Sequence, residues 1–151
     1  MSEIVSGGPR IVVGVDGSPG SAQALRWALR LARAERATID VIGAWEYPTT
    51  LGWTALPDGY SPKDDLEKAV GQLVDDVFGA QRPAYLQIAI RQGHPATVLL
   101  DASADALMVV VGSRGHGGFA GLLLGSVSAR VAELATCPVL VVHGDRVPPS
   151  L

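Results

Sequence analysis

The chain is poor in several residues on which particular functions depend. It has a single cysteine, Cys137, so neither an intramolecular disulfide nor a cysteine-based zinc cluster can form. That thiol precedes a proline and an apolar run, which predicts an inert core group rather than a reactive one. There are only two lysines, Lys63 and Lys68, both mid-chain, so no basic stripe can be built from them. With a formal charge of -3, a general nucleic-acid binder is not expected. The histidines, His94, His116 and His143, are scattered and lack the spacing of a metal site. No Gly-x-Ser-x-Gly elbow occurs, which leaves a hydrolase triad without support. Asp64–Asp65 and Asp75–Asp76 read as solvated charges on a helix face, since an acid/base pair would have to converge in a cleft. No apolar run approaches the ~20 residues of a membrane span, and the opening "MSEIVSGGPR" has no apolar signal core. A cytoplasmic protein without membrane contact is expected.

What is present fits one domain over residues 1–151, with an ordered core at about 10–143. Apolar residues make up 48% and charged ones 18%, enough for a sizeable core. "IVVGV" (11–15) is a short β-branched run that ends at "DGSPG", where Ser18 suits a helix N-cap and Pro19 the first helical position. Ala22, Leu25, Leu29 and Ala32 then recur at helical spacing, with Arg26, Arg30 and Arg33 on another stripe. "TIDVIGAW" (38–45) predicts a strand, and Leu66, Val70, Leu73 and Val77 a helix. "YLQIAI" (85–90) predicts a strand, and "HPATVLLDASA" a helix starting near Pro95. "ALMVVV" (106–111), "SVSARVAELA" and "PVLVV" (138–142) complete a βαβαβαβαβ pattern. The expected fold is α/β: an open, five-stranded parallel sheet with helices on both faces, Rossmann-like or adenine nucleotide alpha hydrolase-like. Between 46 and 62 lies a long stretch with three prolines and no period, of a length that is often functional.

In such sheets ligands sit beyond the carboxyl ends of the strands, where strand order reverses. Two segments suit that place: "DGS" after the first strand, and "GSRGHGG" after the fourth, where seven residues include four glycines. Bare glycine lets backbone N–H groups approach a ligand. A helix starting near Ser126 would add its unpaired N–H groups and positive dipole end, with Ser126 and Ser128 as hydroxyl donors. From Ala106 to Ala132 there is no Asp or Glu, while Arg114 and Arg130 are present, so an anion is favoured. A P-loop is excluded, because no lysine lies in residues 109–131. Gly115, Gly117 and Ala120 satisfy G-x-G-x-x-A, but too near the C-terminal end for a dinucleotide fingerprint. "SGG" at Ser6–Gly8 resembles part of an ATP pyrophosphatase motif but precedes the first strand, so a flexible terminus is expected.

The spacing Gly112-x2-Gly115-x9-Gly125-Ser126 resembles the ATP-binding signature of the universal stress protein family. "VVGVDGSPGSAQALRWAL", Gly93-His94-Pro95 and "PVLVV" are similar to that family's opening, third-helix start and closing strand, so the resemblance runs from about Ile11 to His143. It implies that Asp16 lies near adenine or ribose, with Gly14 and Val15 on the same edge. Ala44 would meet the adenine, and Val111 and Gly112 would form the floor. Arg114 and Gly115 would meet ribose or phosphates, and Gly125, Ser126 and Val127 would hold the phosphates. Magnesium would accompany ATP, and two copies would pair through the last strand, Pro138–Val142. Gly43 and Ala44 are smaller than the residues common there, which implies a roomier adenine pocket. His116 falls inside the glycine segment, and Trp53 or Tyr60 could cover the nucleotide. The implied function is a dimeric, nucleotide-dependent regulator of stress response or growth arrest. The alternatives are a slow ATPase or phosphoryl-transfer enzyme, disfavoured by the missing lysine and base, and a cyclic-AMP binder.

Overall fold

Five apolar runs form strands, joined by four helices: β1 (Arg10–Gly14), α1 (Pro19–Glu35), β2 (Thr38–Trp45), α2 (Pro62–Phe78), β3 (Leu86–Gln92), α3 (Pro95–Ala102), β4 (Met108–Gly112), α4 (Ser126–Leu134) and β5 (Val139–Val142). The computed structural model describes residues 8–47, 59, 61–115 and 124–144. Each helical connection returns the chain to the same end of the sheet, so every pairing is parallel, in the order β3-β2-β1-β4-β5. Among the described residues no helix is long and apolar enough to cross a membrane.

Alternation along the strands divides the core in two. Ile11 and Val13 of β1, with Ile39 and Val41 of β2, pack under α1 and α2. Val12, Ile42, Val109 and Val111 point the other way, under α3 and α4. The central strands are therefore covered on both faces, as their unbroken apolar runs require. At the amino ends of the strands, the Arg10 guanidinium reaches the Asp40 carboxylate at 3.0 Å and the Ala102 carbonyl at 2.9 Å, tying β1 and β2 to the end of α3.

Helix starts follow local chemistry. The Ser18, Ser61 and His94 side chains accept from backbone N–H groups of the first turns of α1, α2 and α3, and proline occupies the first turn of each. His94 thus caps a helix. In α1 the buried stripe is Ser21, Ala24, Leu25, Ala28 and Ala32. Ala22 and Leu29, expected in that stripe, flank it half-buried, because the helix leans on the sheet along the 21–25–28–32 line.

Several ends differ from expectation by one or two residues. β3 runs on to Gln92 because Ala44 and Trp45 of the long β2 remain available as pairing partners for Arg91 and Gln92. β4 begins at Met108, since the Ala106 N–H closes a turn on the Ser103 carbonyl instead. Cys137 is half-buried beside the core under α3 and α4 rather than inside it.

Candidate functional site

From β1 the chain leaves through α1 toward β2, and from β3 it crosses through α3 to β4 on the other side. The carboxyl ends of β1 and β4 are therefore neighbours whose following segments diverge, which opens a crevice between them. The "DGS" segment lies there, as does the described part of the glycine segment, Gly112 to Gly115.

Past β1, the Val15 N–H still bonds the Ile42 carbonyl at 3.0 Å, which holds Asp16 at the sheet edge. Gly17 turns the chain with φ 85°, and the Ser18 N–H donates back to Asp16 Oδ1 at 2.9 Å. Past β4, the Ser113 N–H donates to the Val142 carbonyl at 2.8 Å. The Ser113 carbonyl accepts from the Gly125 N–H at 2.6 Å and lies 3.0 Å from Ser128 Oγ. Both ends of the segment between β4 and α4 are thus tied together at its base.

Two glycines of this region are explained by the protein itself. A Cβ on Gly112 would stand 2.9 Å from the Gly20 carbonyl carbon, so its bareness lets the first turn of α1 lie against β4. A Cβ on Gly115 would collide with Asp16 Oδ2. Gly14 lies beneath Leu99, whose Cδ1 a Cβ there would meet at 2.8 Å.

These segments enclose a cleft with a volume of about 230 Å³. One wall is apolar, formed by Val15, Ile42 and Ala44 from the strand ends, Val111 from β4, and Pro95 and Leu99 from the first turns of α3. The other is polar: Asp16, Ser18 and Ser21, then Arg114 and Gly115, then Gly125, Ser126, Val127 and Ser128. Gly14 and Gly112 lie at the bottom. Gly14, Val15, Asp16, Ala44, Val111, Gly112, Arg114, Gly115, Gly125, Ser126 and Val127 therefore line one cavity. Sequence reasoning missed Ile42, Pro95, Leu99 and Ser21 as lining residues. The two-residue period that pairs Ile42 with Ala44 was a usable signal, as was the i, i+4 relation of Pro95 to Leu99.

The polar wall ends in an unusual helix start. Gly125 is the N-cap of α4, and among the described residues no side chain caps that helix. Its first N–H groups, those of Ser126 and Val127, are left at the cleft. Ser128, expected as a donor to ligand, is buried with its hydroxyl within 3.1 Å of the Gly125 carbonyl as well as near Ser113, so its proton is engaged internally. Gly43 departs from expectation too. A Cβ there would meet Ile90 and Leu66 on the α2 side, so its smallness serves packing, and of the two only Ala44 lines the cleft. Among the described residues no group of three or more His, Cys, Asp and Glu side chains could hold a metal ion. His116, Gly117, Gly118, Ala120, Trp53, Tyr60 and Ser6 lie outside the described residues.

Residues 9–143 match the family model described as the universal stress protein family. The chain belongs to that family. Its relatives include a universal stress protein of Mycolicibacterium smegmatis, 38% identical over 142 residues, covering 89% of this chain and 48% of the relative. Another is the universal stress protein YxiE of Bacillus subtilis, 30% identical, covering 89% of this chain and 98% of the relative. The chain spans about half the length of the mycobacterial relatives it matches. Among solved structures, a universal stress protein in complex with cAMP is 28% identical, with a TM-score of 0.67, covering 91% of this chain and 98% of that one.

Proposed function

We propose that this universal stress protein binds an adenine nucleotide, ATP with magnesium, in the cleft between β1 and β4, and that occupancy is its signal in stress response or growth arrest. The observation that carries the reading is the bare start of α4. Among the described residues, α1, α2 and α3 each use a side chain to satisfy an N-terminal N–H, whereas the start of α4 has none and lines a cavity that apolar residues also line. A flat apolar base fits between Ile42, Ala44 and Leu99, and an anionic tail fits the N–H groups and positive dipole end of α4. Asp16 would meet the ribose hydroxyls, and Arg114 and Gly115 the ribose–phosphate junction. With Asp16 the one carboxylate on the cleft wall among the described residues, a magnesium ion would be carried mainly by phosphate oxygens and water. Ligand can change the protein's behaviour only through the arrangement it favours.

A homodimer through β5 belongs to the same reading. β5 is an edge strand, and its Val139, Leu140 and Val141 are only half-buried, an apolar edge that a second copy could cover. Cyclic AMP is a second reading, favoured by the cAMP complex of the 28% identical universal stress protein. The deciding experiment is calorimetry of the full chain with MgATP and with cyclic AMP, alongside mass spectrometry of any small molecule released on denaturation. ATP binding with weaker cyclic AMP binding is expected. A tighter cyclic AMP complex would favour the second reading, and binding of neither would remove both.

A further inference from the structure

We propose that Ser128 is a positioning residue for the phosphate end of this site, an inference that rests on the nucleotide reading above. A cradle made of N–H groups works only if those groups are held in place and neighbouring carbonyl oxygens are kept from facing the anion. Two carbonyls beside the start of α4 are those of Ser113 and Gly125. The Ser113 oxygen takes the Gly125 N–H at 2.6 Å and has the Ser128 hydroxyl at 3.0 Å. The Gly125 oxygen takes the Ala129 N–H at 3.0 Å and has the same hydroxyl at 3.1 Å. Each carbonyl thus has a backbone donor, and the single proton of one buried hydroxyl lies within reach of either. Ser128 is 4% exposed, so water cannot readily replace it.

Because α4 has no side-chain cap, its first turn is the part of that helix most prone to fray. The Ser128 hydroxyl offsets this from inside. It joins the first turn of α4 to the end of β4 through Ser113, and Ser113 is itself fixed by its N–H bond to Val142. The Ser126 and Val127 N–H groups are thereby aimed at the cleft by a side chain whose hydroxyl is engaged within the protein. Removing the hydroxyl should loosen that aim and leave the apolar wall unchanged, because Ile42, Pro95 and Leu99 belong to other elements.

The test compares ATP with adenosine on the full-length chain, wild type against Ser128→Ala, by competition with a fluorescent adenine nucleotide. ATP should bind roughly five- to tenfold more weakly to the variant, the scale of one net hydrogen bond. Adenosine, which lacks phosphate, should stay within about twofold. A purely structural role would weaken both ligands alike; that result, or no change in either, overturns the inference. If Ser128→Ala does not fold, Ser128→Cys keeps the volume, weakens the donor and is read by the same ratio. A wild-type protein that holds ATP no tighter than adenosine would instead bring down the phosphate reading itself.

Discussion

Gly112→Ala separates two reasons why a signature glycine can be a glycine. If Gly112 is bare for a ligand's sake, an added methyl costs binding and little stability. The geometry predicts the opposite order. The methyl would lie 2.9 Å from the Gly20 carbonyl carbon, 3.0 Å from its oxygen and 3.3 Å from its Cα. Comfortable carbon–carbon separation is about 3.5–4.0 Å, so roughly 0.5–1 Å must be found. All three contacts are backbone in the first turn of α1, so no side chain can swing aside. Either α1 retreats from the sheet or β4 bends. Overpacking of this kind costs about 1–3 kcal/mol. At roughly 2–4 °C per kcal/mol for a domain near this size, Tm should fall by about 2–12 °C. Calorimetric or circular-dichroism melts without nucleotide would measure it. A Tm within about 1 °C of wild type would refute the packing argument and return Gly112 to the ligand.

Other substitutions probe the remaining parts. Gly115→Glu should weaken ATP binding by roughly tenfold or more, because the side chain must displace Asp16 and adds a like charge beside it and the phosphates; unchanged affinity in calorimetry would contradict this. Gly125→Ala should destabilise the fold by no more than about 1 kcal/mol, the scale of an N-cap preference, since among the described residues its Cβ would approach no atom closer than 3.5 Å. Its ATP affinity should nonetheless fall if the open space there is used by phosphate, and a normal affinity in the same titration would argue that it is not. Val141→Lys on the β5 edge should convert the proposed homodimer to monomer in light scattering; a wild-type chain already monomeric at the highest soluble concentration would end the β5 interface.

The order of elements was legible because each apolar run carries its own period and stop signal: "IVVGV" before "DGSP", Pro95 after Gly93-His94, and "VVVG" before a glycine-rich segment. The site was legible where it follows the chain, in the segments after β1 and β4. It was not legible where the cavity is made by tertiary approach. Leu99 lines the cleft because α3 lies over Gly14, a contact between residues 85 positions apart that no local pattern encodes. The three signature glycines show the same limit more sharply. Spacing identifies them as a set, yet their physical constraints differ. Gly112 is confined by α1, and Gly115 by the Asp16 carboxylate. Gly125 is confined by neither, and its φ of -68° suits any residue. Of the three, only Gly125 has no reason inside the described protein to lack a side chain, and it sits where α4 opens onto the cleft. Gly125→Ala is therefore the substitution of the three whose effect on ATP affinity bears most directly on the proposed ligand.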